Sequence, residues 1–168
     1  MVYEGLVSIF IAGSIIILTI NGVKNGWRKV LGLLLLEYII FIYSSTVFSR
    51  DYYESPRYNF DIFWSYQPKY KIDTLGFITE NIMNVLAFVP IGFLSKFVIR
   101  KAKWWNVLLF GFFISIMIES LQYFFHRGFS ETDDVIHNTL GCMIGIGLYY
   151  LIQSIFCKAR GLCTKQNG

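Results

Sequence analysis

The chain has 168 residues, 55% hydrophobic and 18% aromatic, with only 15% charged, against about 25% charged in an ordinary soluble domain. A mean hydropathy of +0.51 excludes such a domain, and it excludes disorder, because too little of the chain is polar enough to stay solvated. The net charge of +4 does not by itself call for a nucleic-acid partner, since basic residues in membrane proteins report orientation.

Five apolar runs follow one another, at residues 5–23, 30–48, 78–97, 104–125 and 135–156. Each approaches the roughly 20 residues that a helix needs to cross about 30 Å of hydrocarbon. Backbone groups in lipid must be satisfied internally, and runs this continuous lack the alternation of barrel strands. The expected fold class is all-α, a polytopic transmembrane helical bundle of about five spans forming a single integral membrane domain over residues 1–168.

The first run is read as a span and not as a signal peptide, because Met1 to Glu4 lack a basic stretch while Lys24, Arg28 and Lys29 follow the run. The second span holds Glu37, for which the sequence offers no partner. Residues 49–77 form a long connection rich in Tyr and Phe, in which Phe60, Phe63 and Trp64 have the spacing of one helix face. A short interfacial helix or an aromatic belt would each use these rings. The third span opens with Glu80, Asn81 and Asn84, and Pro90 within it is expected to kink the helix.

In the fourth span, Ser115, Glu119 and Gln122 share a face, with His126 one turn beyond. In the fifth, Asp134 and Asn138 share a face that Gly141 and Gly145 continue, a spacing that admits close approach of another helix. Thr132 is expected to cap this helix, with Asp133 and Asp134 in its first turn. Residues 158–168 form a short basic tail, and Cys157 and Cys163 near it are expected to stay reduced.

Alternating the connections puts ten of the fifteen basic residues on one side and nine of the eleven acids on the other. The basic side is cytoplasmic by the positive-inside rule, which makes the chain N-out and C-in, with the aromatic loop outside. Nucleic acid is therefore not an expected partner, whereas membrane lipids are. A central charge costs about 2.5 to 3.5 kcal/mol on insertion scales, so polar groups in spans mark compensated burial. Here Asn84, Glu119 and Asn138 fall at one depth near the outer ends of three spans. Glu119 must be protonated or paired with a cation, and Arg50 and Arg127 are the candidates.

Three segments carry a family resemblance. They are Asn84-Val85-Leu86-Ala87-Phe88-Val89-Pro90-Ile91-Gly92-Phe93, then Ile118-Glu119-Ser120-Leu121-Gln122 followed by Asp133-Asp134-Val135-Ile136-His137-Asn138-Thr139-Leu140-Gly141, and more weakly Arg50 with Asn59-Phe60-Asp61-Ile62-Phe63-Trp64-Ser65-Tyr66. Over about residues 50–147 the chain resembles the VanZ-like family of bacterial membrane proteins, named for a protein associated with teicoplanin resistance. Two departures are Glu131 where the family has Asp and Ile62 where it has Pro. The resemblance implies a multi-pass protein of the bacterial plasma membrane and a contribution to glycopeptide resistance.

The expectation is a non-enzymatic protein whose outer polar cleft binds a lipid-linked cell-wall precursor or a glycopeptide. Its ligand-binding residues would be Arg50, Asn84, Glu119, Gln122, Arg127, Asp134 and Asn138. No metal or cofactor is expected: Asp133 and His137 stand at i, i+4, but no His-x3-His or Cys pair accompanies them. The alternatives are an intramembrane enzyme acting on a lipid headgroup through Glu119 and Asp134, and a small transporter.

Overall fold

A computed structural model describes residues 26–67 and 74–159. Within them, four helices are long and apolar enough to cross a membrane: α1 (Trp27–Tyr43, extended by a π-helical turn, Ser44–Phe48), α2 (Thr74–Val98), α3 (Trp104–Phe125) and α4 (Thr132–Ala159). These are the second to fifth apolar runs, and α3 has the bounds read from the sequence. The first run lies outside the described residues.

The bundle is organised around the crossing of α2 and α4, its most extensive contact. Small residues permit that closeness. A Cβ added at Gly141 would lie 2.0 Å from the Val85 carbonyl oxygen, and one at Gly145 would lie 2.1 Å from that of Val89. From the other side, a Cβ at Gly92 would meet the Cys142 carbonyl oxygen at 2.0 Å. The glycine face of the fifth span therefore packs inward, as its spacing indicated. Helices α1 and α3 complete the core, where Leu35, Ile42 and Val47 pack with Phe88, Ile91, Ile114 and Ile118.

Helix α2 continues through Pro90, which removes the donor for the Leu86 carbonyl. One residue further on, the Tyr38 hydroxyl of α1 donates to the Ala87 carbonyl at 2.9 Å, tying α1 to α2 at this level. At the opposite end of α2, the buried Lys96 donates to the Ala102 carbonyl in the turn into α3 and lies 5.3 Å from the Tyr150 ring centre. Cys157, near the end of α4, is disulfide-bonded. This corrects the expectation of a reduced thiol, which rested on the compartment assigned to the tail and not on local geometry.

At the other end of the bundle, segment 49–67 is tied to the turn between α3 and α4. Strand β1 (Tyr58–Asn59) pairs in parallel with β2 (Ser130–Glu131), and Tyr52 bridges Arg127 in antiparallel fashion. Backbone bonds from Tyr53 N–H to the His126 carbonyl (2.9 Å) and from Gly128 N–H to the Asp51 carbonyl (3.2 Å) extend the seam. Gly128 has φ +74°, a left-handed backbone that a side chain would strain.

The helix considered for Phe60, Phe63 and Trp64 does not form. Only a 3-10 turn, Trp64–Tyr66, is present; Trp64 is buried, whereas Phe60 and Phe63 are exposed. The periodicity fails because Phe63 takes a left-handed backbone, φ 58°, which breaks any helical run at that point.

Candidate functional site

Each element brings polar groups to the same end of the bundle for its own local reason. Helix α3 ends at Phe125 with His126 in the left-handed conformation, and this turn folds the chain back so that β2 and the start of α4 lie beside the polar face of α3. The Glu119 Oε2 accepts the Glu131 backbone N–H at 2.8 Å. Glu119 thus anchors the α3–α4 turn. Arg127 is committed elsewhere: its Nη1 donates to the Phe48 and Arg50 carbonyls at 3.2 and 3.0 Å. That satisfies the orphan carbonyls at the end of the π-helical turn.

Asp133 is fully buried and binds the aromatic segment. Its Oδ1 accepts the Phe63 backbone N–H at 2.5 Å, and its Oδ2 accepts the Ser65 hydroxyl at 2.7 Å and the Ser65 backbone N–H at 3.2 Å. One turn later His137 Nε2 lies 2.7 Å from the Tyr66 hydroxyl. The i, i+4 pair that suggested a metal site is therefore engaged with segment 49–67. Thr132 stands as the first residue of α4, and its hydroxyl donates to the Phe60 carbonyl at 3.4 Å.

Beneath this covering segment lies a cavity of about 580 Å3, within the range of about 300–1,000 Å3 typical of small-ligand sites. Four of the residues expected from the sequence border it: Arg50, Asn84, Gln122 and Asp134. The other three do not. Glu119 stands behind it, holding the turn, and Arg127 staples the π-helical turn. Asn138 is buried one turn deeper, donating to the Ser115 hydroxyl at 2.8 Å.

The cavity also uses residues that the sequence reading did not select, chiefly Arg57, Trp64, Glu80, Asn81, Phe129 and Glu131. Glu80 could have been found, since it lies four residues before Asn84 on the same helix face. Arg57 had no such signal, because its position depends on the backbone seam. Its guanidinium lies 4.6 Å from the Tyr53 ring centre and 5.4 Å from that of Phe129. Trp64 meets Phe129 edge-on at 5.7 Å and donates its indole N–H to Glu131 Oε2 at 2.8 Å.

The electrostatics of the cavity are divided. Arg50 and Arg57 come from segment 49–67, while Glu80, Glu131 and Asp134 come from α2, β2 and α4. Burial, reinforced by the neighbouring Asp134, Glu80 and Asp133 carboxyls, pushes Glu131 up to about 8 against the opposing pull of the Trp64 N–H. Gln122 donates its Nε2 to the Thr46 carbonyl at 2.9 Å, leaving its buried Oε1 without a partner. Such a site can hold a polar or charged group at the edge of an apolar bundle, with Trp64 and Phe129 as aromatic walls.

A family model described as VanZ/LLP1 matches residues 29–153. Over 76 residues the chain is 33% identical to Protein VanZ of Enterococcus faecium, a match that covers 45% of this chain and 47% of that relative. The chain thus spans about half the length of the curated relative it matches. No solved structure matches the chain.

Proposed function

Since the chain belongs to the VanZ/LLP1 family, we propose that it is a multi-pass protein of the bacterial plasma membrane whose polar cavity binds the headgroup of an envelope molecule at the outer leaflet. The ligand is a lipid-linked cell-wall precursor or a glycopeptide, and binding it contributes to resistance to teicoplanin-type compounds. The orientation is N-out and C-in, with the cavity end outside. Support for it comes from Arg28, Lys29, Arg100, Lys101 and Lys103 gathering at the opposite end of the helices. The Cys157 disulfide runs against this side being reducing.

The observation that carries the reading is the cavity itself, which combines two guanidiniums, three carboxyls and two aromatic walls at one end of the bundle. Arg50 neutralises an anionic group, Asn84, Gln122 and Asp134 supply hydrogen bonds, and Glu119 and Asn138 keep α3 and α4 in register behind them. Arg127 holds the backbone from which Arg50 projects. An acid/base pair of Glu119 and Asp134 gains no support, because only Asp134 borders the cavity.

Expression in a teicoplanin-sensitive Gram-positive host tests the role. The wild-type chain raises the inhibitory concentration of teicoplanin and its lipidated relatives, and Arg50→Ala, made at equal abundance, does not. Unchanged susceptibility with the wild-type chain contradicts the proposal.

A further inference from the structure

The cavity carries charge of both signs from different parts of the chain. Among the described residues, no carboxylate hydrogen-bonds to either guanidinium: Arg57 is flanked by two rings, and the Arg50 stem passes Gly128, whose added Cβ would lie 3.2 Å from its Cγ. Both guanidiniums keep donors for an anion, and two arginines in one cavity suit a phosphate, which accepts from several N–H groups at once.

On the other wall the Asn84 side chain already hydrogen-bonds to the Asp134 carboxyl. Thr46's carbonyl can only accept, so the Gln122 atom facing it is the Nε2 and the unpartnered buried atom is the acceptor Oε1. That atom is sealed from the cavity, whereas the carboxyls of Glu80 and Asp134 border it. An ammonium group brings three N–H donors and a positive charge, which serve both.

We infer that the cavity takes a zwitterionic headgroup, a primary ammonium joined by a short linker to a phosphate diester, with the phosphate on Arg50 and Arg57 and the ammonium between Glu80 and Asp134. This rests on the headgroup-binding reading above and names its chemistry. A quaternary ammonium fits less well, because it has no N–H to give the two carboxyls. Met83, Trp64 and Phe129 leave apolar wall for the part of the ligand beyond the headgroup.

Native mass spectrometry of the full chain, with defined lipids added, tests the assignment. Phosphatidylethanolamine binds about tenfold more tightly than phosphatidylcholine or phosphatidylglycerol, a difference of about 1.4 kcal/mol. Glu80→Gln and Asp134→Asn each remove that advantage, whereas Arg50→Ala weakens all three lipids. Glu80 is exposed, so its variant keeps the fold even if Asp134→Asn does not.

Soluble phosphoethanolamine competes where inorganic phosphate at the same concentration does not, if the headgroup alone is recognised; equal competition by phosphate overturns the zwitterion. Equal binding of the three lipids overturns the inference and leaves the headgroup reading standing. So does magnesium raising phosphatidylglycerol to the level of phosphatidylethanolamine, which would give the carboxyl wall to a metal. Absence of binding by every lipid, by phosphoethanolamine and by a lipid-linked precursor overturns both.

Discussion

Asp133 and Glu131 divide the work of holding segment 49–67 against the bundle, and each makes a distinct prediction. The Asp133 carboxylate accepts three hydrogen bonds from Phe63 and Ser65, and hydrogen bonds to charged groups contribute about 1.5–3 kcal/mol each. Asp133→Ala should lower stability by about 3 kcal/mol in a mixed-micelle unfolding titration, with Asp133→Asn between it and wild type. It also releases Phe63 from its left-handed backbone, so that limited proteolysis cuts near residues 60–66. Glu131 has its neutral form favoured in the fold, with its carboxyl raised from 4.5 to about 8. Its contribution to stability is therefore fully present below pH about 4.5 and is lost as the pH rises through about 8. Trp64 reports this directly through its bond to Glu131. Its fluorescence should titrate with a midpoint near pH 8, and the transition should vanish in Glu131→Gln; a midpoint near 4.5 contradicts the assignment. The sequence exposed Glu119 as a buried acid but not its partner, because a backbone N–H leaves no mark in the residue pattern.

At the level of elements, the helices were readable and the connection between them was not. Long apolar runs announce themselves because lipid demands about 20 of them in succession, and the glycine spacing of α4 announced a close crossing. The crossing yields a controlled test. Gly141→Ala drives a Cβ into the Val85 carbonyl oxygen, a backbone atom that cannot step aside, whereas Gly147 has nothing within 4 Å. Gly141→Ala should lower stability by about 1–3 kcal/mol through overpacking. Gly147→Ala should be neutral or slightly stabilising, since alanine is favoured over glycine in helices by about 1 kcal/mol. Equal effects of the two substitutions would argue against the α2–α4 contact. The seam of segment 49–67 on the α3–α4 turn was not legible, since it is built of backbone hydrogen bonds from Tyr53, Gly128 and Ser130. That is why Arg57 and Trp64 reach the cavity without a periodic signal. Where the family has Pro, Ile62 stands exposed on this segment, just before the left-handed Phe63.

For the molecule as a whole, the polar and apolar surfaces are sorted along the bundle. Leu36, Ile82, Leu86, Phe113, Met117 and Leu151 are each more than half exposed on the outside of the helices. A surface of that kind is the solvated face in lipid and an aggregating one in water. Polar groups collect instead at one end, where Arg50, Asn84, Gln122 and Asp134 meet around one cavity. Depth along the helices pointed to Asn84 but also to Glu119 and Asn138, which do not border the cavity; the division of charge was not legible, because it depends on which side chains the covering segment carries in. In the proposed orientation this cavity opens to the outer side of the membrane. Cysteine labelling in intact cells tests it most directly, on a chain with its native cysteines replaced by serine. Asn84→Cys and Asp134→Cys should react with a membrane-impermeant maleimide added outside, and Lys101→Cys should react only after permeabilisation. Reaction of Lys101→Cys in intact cells, with the cavity positions silent until the membrane is opened, would contradict it.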